Sequence, residues 1–385
     1  MHPQPAQFAL MLPGGGARAA YQVGALRAIW ELLDQQHNPF PIITGTSAGA
    51  INAAVLASHA DQFAHGLQRL EYFWGRMRCS HIYRTEIRAA VSSGLRWLTA
   101  LTLGGLLPVN PRSLLDNHPL RQLLAREFQA ARLPEVIASG ALRGLAVTAS
   151  GYTCAMATTF FQAEPGITPW RRARRRGLPT QITKEHLLAS AALPLLFPSQ
   201  AIGFEHFGDG GMRQTAPLSP AIHLGATRIL VITTRDERLD PEPTQTQAPP
   251  AFGDIAGHLL DAIFLDNLQA DLARLHRINH TLTLVEQARQ QQTGLRPIDT
   301  LLLRPSRDVR EIARRHAHRM PGSVRYLLRG VGAWGGGMQM PSYLLFEAAF
   351  CQELMQLGYA DARDQADSIR RFMDAADPSP PVATE

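Results

Sequence analysis

The chain has 385 residues, 45% of them apolar and 18% charged, with 38 Lys and Arg against 32 Asp and Glu and a formal net charge of +6. That composition supplies a sizeable core, enough for one large α/β domain or two ordinary ones. No segment reaches the roughly 18 apolar residues a membrane-spanning helix requires, so no transmembrane helix is expected, and no nucleic-acid-binding module accompanies the positive charge. Nearly all of that charge is arginine, with Lys184 the single lysine. Genomic base composition accounts for the bias; as a partner for a basic surface, an anionic membrane fits better than nucleic acid. Cys79, Cys154 and Cys351 lie far apart, without Cys-x-x-Cys or metal-ligand spacing, so a reducing compartment is expected. The N-terminus lacks a basic signal-peptide start, and its apolar run Phe8–Leu12 is too short for one. A cytoplasmic protein, with peripheral membrane contact as an option, is the expectation.

In chain order, Phe8–Leu12 is a continuous apolar run that predicts a buried parallel strand. Gly14-Gly15-Gly16-Ala17-Arg18 follows. A helix comes next, with Tyr21, Val23, Leu26, Ile29, Trp30 and Leu33 recurring near period 3.6. Asn38-Pro39 breaks the chain before a second strand, Pro41–Thr44, which runs into Gly45-Thr46-Ser47-Ala48-Gly49 and an Ala-rich helix over Ala50–Ala57. This β-α-β-α opening predicts a parallel sheet with crossover helices. Leu95–Leu107 is strongly apolar but broken by Gly104-Gly105. It reads as a buried helix, with a lid or lipid-facing segment as the alternative. Leu142–Ala149 and Ala157–Phe161 predict strands. Trp170–Arg176 holds five arginines and reads as a solvated loop, with contact to phosphate headgroups as the alternative. Thr183 is the expected N-cap of a helix over Thr183–Ala192. Phe204–Phe207 leads to Asp209-Gly210-Gly211, and Arg228–Thr234 predicts another buried strand. Asp240–Pro250 is a Pro-rich surface loop. Phe252–Asn279 reads as one long amphipathic helix, Ile298–Leu303 as the last strand. Helices are predicted over Val309–His316, Val324–Val331, Tyr343–Leu357 and Asp364–Met373, with a disordered tail over Ala376–Glu385.

Gly45-x-Ser47-x-Gly49, placed between a strand and a helix, has the layout of a nucleophile elbow, a strained turn that exposes a serine hydroxyl. The glycines are needed because a Cβ at either place crowds the neighbouring backbone. Such a serine needs a base and a set of oxyanion donors. The amides of Gly14, Gly15 and Gly16, at the start of a helix and at the same carboxyl edge of the sheet, are suited to the donor role. For the base, His223, His258, His276, His280, His316 and His318 follow in sequence. None stands in a loop after a strand, where a catalytic histidine is expected. Asp209, in Gly208-Asp209-Gly210-Gly211, ends an apolar stretch. Its carboxylate can take the serine proton directly, although an aspartate in a Gly-rich turn is ordinarily only a turn former.

Gly14–Arg18, Gly45–Gly49 and Asp209–Gly211 occur in the order and rough spacing of patatin-like phospholipases. Ala189–Pro194 with Phe197-Pro198 also resembles the segment that precedes the aspartate loop in that family. The resemblance covers about residues 7–235. It extends more loosely through Phe264-Leu265-Asp266-Asn267 to Pro341-Ser342-Tyr343-Leu344. It implies a three-layer α/β/α fold with a mainly parallel central sheet and additional C-terminal helices. The expected divisions are an N-terminal tail (1–7), a catalytic domain (8–305), a C-terminal helical extension packed on it (306–375) and a tail (376–385).

The resemblance further implies Ser47 as nucleophile, Asp209 as the other half of a Ser–Asp dyad, and Gly14, Gly15 and Gly16 as oxyanion hole. Arg18 would fix that loop or meet substrate, and Gly45, Gly49, Gly210 and Gly211 would shape the two turns. The implied reaction is cleavage of fatty-acyl esters of lipids or phospholipids through an acyl-enzyme, with neither cofactor nor metal. Acyl transfer and short-ester hydrolysis are alternatives on the same dyad. Three rivals stand beside it. A nicotinamide- or flavin-binding Rossmann oxidoreductase is suggested by Gly14-x-Gly16-x-x-Ala19, but its acidic partner would have to be Asp34, at a helix end. An α/β-hydrolase with a histidine elsewhere conflicts with the early position of the elbow. A non-catalytic lipid-binding module leaves Ser47 and Asp209 without a purpose.

Overall fold

The structure is a computed structural model, and residues 7–85, 113–235, 252–330, 332–334 and 338–374 are described. The apolar run Leu95–Leu107, the Pro-rich stretch Asp240–Pro250 and the tail Ala376–Glu385 lie outside the described residues. Ten strands form one sheet: β1 Phe8–Leu12, β2 Ile42–Thr46, β3 Gly144–Gly151, β4 Ala157–Ala163, β5 Trp170–Arg172, β6 Arg175–Pro179, β7 Gln200–Ile202, β8 Glu205–Asp209, β9 Arg228–Ile232 and β10 Asp299–Leu303. Their order is β10-β9-β1-β2-β3-β4-β6-β5. The run from β10 to β3 is parallel throughout, whereas β4 and β8 both pair antiparallel with β3.

Strand periodicity sorts the core into two layers. Leu10, Leu12, Ile43, Leu145, Val147, Leu230 and Ile232 face one helical layer. Their neighbours Ala9, Met11, Ile42, Ala146, Ile229 and Val231 face the other. Because both faces of the parallel strands are covered, their sequences read as unbroken apolar runs rather than as an alternation. On the first face lie helices α1 (Ala20–Leu33) and α2 (Ala48–Ala57) and the C-terminal helix Ala348–Asp364. On the second lie the Ser219–His223 turn of helix and Leu268, Leu272 and Leu275 of the long helix Phe252–Leu284. The sheet is thus mixed, mostly parallel and flanked by helices, with further helices after β10. The C-terminal Ala348–Asp364 helix crosses α1 at backbone contact: a Cβ on Gly24 would meet Met355 O at 1.8 Å, and one on Gly358 would meet Tyr21 O at 2.1 Å.

Several local expectations are corrected. Trp170–Arg176 is not a loop but an antiparallel hairpin, β5–β6, whose inner residue Trp170 stacks between Phe161 and His223. The helix expected over Tyr343–Leu357 is two helices, Gln339–Leu344 and Ala348–Asp364. The Leu344 carbonyl is captured by the Tyr83 hydroxyl at 2.8 Å, so a tertiary bond replaces the helical one there. The long helix runs on to Leu284, and its Ile255 is exposed rather than on a buried face. Thr183 does cap the Lys184–Ser190 helix, in a reciprocal capping box with His186. Among the described residues no helix is long and apolar enough to cross a membrane.

Candidate active site

Two edges of β3 organise the site. β4 occupies one edge along Gly144–Ser150. The opposite edge is shared: β2 pairs with it as far as Thr46 opposite Thr148, and β8 takes over with Asp209 opposite Ala149. β2 therefore leaves the sheet into Ser47 at the register position next to the one where β8 delivers Asp209. Two residues separated by 162 positions in the chain are brought together by consecutive rungs of one strand.

Ser47 sits between β2 and α2 at φ 56° and ψ −131°, a backbone conformation that a non-glycine residue adopts only when its surroundings impose it. Those surroundings are identifiable. A Cβ on Gly49 would lie 2.1 Å from Leu12 O and 2.5 Å from Pro13 O. Only glycine lets the start of α2 lie against the end of β1, which brings the serine beside the glycine loop. Gly45 is constrained in the same way by the Gly49 carbonyl and Ala50 within the turn. The Ser47 amide donates to Ser190 Oγ at 2.8 Å, and Ser190 in turn donates to Thr148 O at 2.6 Å. The elbow is thereby tied to β3 through a fully buried hydroxyl.

The glycine loop runs from β1 into a turn of 3-10 helix, Gly16–Ala19. Gly16 has φ +55°, and a Cβ there would meet Tyr343 O at 2.3 Å. The loop carbonyls are held by buried side chains: Gln22 donates to Pro13 O at 2.9 Å, and Thr234 to Gly14 O at 3.0 Å. Arg18 is buried. It donates to Ser342 Oγ through Nε at 3.0 Å and Nη2 at 2.6 Å, and its guanidinium lies 4.0 Å from the centroid of the Tyr343 ring. It links the glycine loop to the Gln339–Leu344 helix.

Asp209 is completely buried. Its Oδ1 accepts from the Gly211 amide at 2.9 Å, and its Oδ2 has no aligned hydrogen-bond partner. Burial pushes the carboxyl up to about 7, against the opposing pull of the nearby Ser47 hydroxyl and the Gly211 amide. The hydroxyl is thus close enough to stabilise the carboxylate, though it is not aligned with it as a formed hydrogen bond. Gly210 lies against β3, where a Cβ would meet Thr148 O at 2.1 Å, and its carbonyl accepts from Ser150 Oγ at 3.1 Å. Gln214, just beyond the aspartate loop, accepts from Thr46 Oγ1 at 2.7 Å and donates to Thr148 Oγ1 at 3.3 Å. It cross-links the residue before the elbow to the strand beneath Asp209.

An apolar cleft opens from Gly16 and Ser47 between Ile51, Phe73, Trp74, Leu193, Phe197 and Phe346. Trp74 turns its indole N–H away to Asn52 Oδ1 at 2.8 Å, so an apolar ring face is available to the cleft without an orphaned donor.

The downstream histidines stand elsewhere. His223 stacks on Trp170 with ring centroids 4.5 Å apart; burial, then Arg172, Arg175 and Arg296, lower it to about 4. His316 pairs with Glu353 at 2.7 Å. The side chain of His258 lies outside the described ones. Among the described residues no histidine hydrogen-bonds to Ser47 or Asp209, and no cluster of three or more His, Cys, Asp or Glu is placed to hold a metal ion. Asp34 ends α1 in a left-handed turn, not at a strand end. Sequence reading missed Ser190 and Gln214 as site-building residues. Ser190 had a signal, a hydroxyl within the apolar Ala189–Leu193 run; Gln214 had none.

A family model described as patatin-like phospholipase matches residues 10–222, more than half of the chain. No curated protein matches. Solved structures that match the chain include VipD from Legionella pneumophila, 12% identical over 98% of this chain and 89% of that one, with a TM-score of 0.34. The type III effector ExoU is 14% identical over 92% of this chain and 54% of that one, with a TM-score of 0.28. The complex of SpcU with ExoU from Pseudomonas aeruginosa gives 14% identity, 98% and 82% coverage and a TM-score of 0.25.

Proposed function

Because the chain belongs to the patatin-like phospholipase family, we propose that it cleaves fatty-acyl esters of lipids through an acyl-enzyme on Ser47, with Asp209 as the only proton carrier. The observation that carries this reading is the shared edge of β3, where Thr46 and Asp209 take consecutive rungs. It puts a constrained serine beside a carboxyl whose pKa lies near neutrality.

In the proposed reaction Asp209 takes the Ser47 proton as Oγ attacks the ester carbonyl. The backbone amides of the Gly14–Gly16 loop donate to the developing oxyanion, which then collapses and expels the alcohol with the proton from Asp209. Water, deprotonated by the same carboxylate, attacks the acyl-Ser47 carbonyl, and Asp209 returns that proton to the departing Ser47 Oγ as the fatty acid is released. A carboxyl near neutrality suits both halves, since it accepts and returns a proton with little driving force wasted. The acyl chain takes the apolar cleft, whose walls match a hydrocarbon chain and carry no competing charge. Reaction with a fluorophosphonate tests the assignment. The expected result is one covalent adduct, recovered on the peptide that contains Ser47. Labelling at another serine would overturn it.

Ser190 has an expected effect of its own. Ser190→Ala leaves the Ser47 amide buried without its acceptor and frees the elbow to relax. We expect kcat on a soluble ester to fall roughly 10- to 100-fold, with KM little changed, from a loss of about 1–3 kcal/mol at a buried donor. Steady-state kinetics beside a melting curve checks this. An equal rise in KM would place Ser190 in substrate binding instead.

A further inference from the structure

The carboxyl edge of the sheet, where Ser47 lies, carries an exposed fringe that the chemistry of the dyad does not use. β8 runs antiparallel to β3, with Gly151 opposite Phe207, so the β7–β8 hairpin projects outward past the end of β3. Phe204 at its tip stands about five strand residues, roughly 16 Å, beyond Asp209, and it is fully exposed. The neighbouring hairpin β5–β6 turns at the same edge. Arg175 pairs with Ala157, which pairs with Ser150 of β3, and the turn Ala173-Arg174 lies just past them. Arg171, Arg172 and Arg174 are exposed there, and among the described residues none of the three forms an ion pair with a carboxylate.

The two hairpins are joined into one platform. The Glu205 carboxylate accepts from the amides of Thr153 at 3.1 Å and Cys154 at 2.7 Å, and from Arg176 Nη2 at 3.2 Å. Glu205 is held below the ordinary carboxylate range despite partial burial, which opposes ionisation, by the Cys154 amide and thiol and by Arg176. Leu195 adds an apolar side chain, 60% exposed at φ +66°, on the segment whose Leu193 and Phe197 line the cleft.

We propose that this edge is a docking surface for an anionic lipid bilayer, with Phe204 entering the interface and Arg171, Arg172 and Arg174 bound to lipid phosphates. An aromatic ring on a rigid tip gains most from an interface that is apolar on one side and wet on the other. Unpaired arginines next to it are drawn to a negative surface potential that decays within a Debye length. The inference rests on the acyl-hydrolase reading only in that docking turns Ser47 toward its substrate.

The test uses the full chain and phosphatidylcholine vesicles with or without phosphatidylglycerol, in co-sedimentation at low and high salt. The wild type is expected to bind the anionic vesicles and to be released by salt. Arg171→Glu, Arg172→Glu and Arg174→Glu combined should weaken binding roughly 100-fold or more, and Phe204→Ser roughly tenfold. Both variants should keep wild-type kcat/KM on a water-soluble ester and the wild-type melting temperature. Unchanged vesicle binding in either variant, or a wild type that ignores anionic vesicles at low salt, would overturn the proposal. Vesicle binding without ester cleavage would overturn the acyl-hydrolase reading and leave the docking surface standing.

Discussion

Asp209→Asn is expected to lower ester turnover by roughly 10⁴-fold and, at about pH 8, to raise the melting temperature. Both effects come from one feature, a completely buried carboxyl whose pKa is raised to about 7 from an ordinary 3.8. For activity, the proposed reaction uses the carboxylate as base, so kcat/KM should climb with pH to a plateau, with an apparent pKa near 7. For stability, the folded state keeps a proton between about pH 4 and 7 that the unfolded state has released. Stability therefore falls as pH rises through that window, and the full cost is present above it. The difference between about 7 and 3.8 corresponds to roughly 4 kcal/mol. An asparagine keeps the acceptor for the Gly211 amide but carries no charge to desolvate. Its stabilisation relative to wild type should thus be larger at about pH 8 than at about pH 4.5. Thermal melts of the two proteins at both values, beside ester kinetics, decide the matter. An active Asp209→Asn enzyme would remove the aspartate from the mechanism.

Ser47→Ala should lose as much, roughly 10⁴-fold or more, because no acyl-enzyme forms without Oγ. It keeps a Cβ at φ 56°, so its melting temperature should stay close to that of wild type. Ser47→Gly is equally inactive but relieves the backbone, and we expect it to be more stable by about 1 kcal/mol or more. On the proposed reaction, Ser47 is a place where stability has been given up for function. Kinetics of p-nitrophenyl and phospholipid esters on the three proteins, with melting curves, test this. Residual turnover in Ser47→Ala at a few per cent of wild type would point to another nucleophile.

The reach of sequence reading differs from element to element for physical reasons. β1, β2, β3 and β9 were legible because strands buried on both faces leave continuous apolar runs. The elbow, the glycine loop and the aspartate loop were legible because tight backbone approach demands glycine, and glycine is visible in a sequence. Gly49 is the clearest case: its place in Gly-x-Ser-x-Gly reports in advance a backbone contact so close that a Cβ would lie 2.1 Å from Leu12 O. The Trp170–Arg176 hairpin was misread because its charge dominates the local pattern, while its strand character comes from pairing with β4. The split between Leu344 and Ala348 was invisible because a tyrosine 261 residues away takes the Leu344 carbonyl.

By itself, then, the sequence determined the kinds of backbone the chain needs: where it must turn sharply, where it must be buried on both sides, and which hydroxyl and carboxylate those turns present. The tertiary structure decided which of these meet. That Asp209 rather than a histidine stands beside Ser47 follows from β2 and β8 sharing one edge of β3, and strand pairing at that distance in the chain leaves no local trace. That Ser190, Gln214 and Arg18 hold the pieces in place follows from burial, which turns an ordinary polar side chain into one that must find its partner.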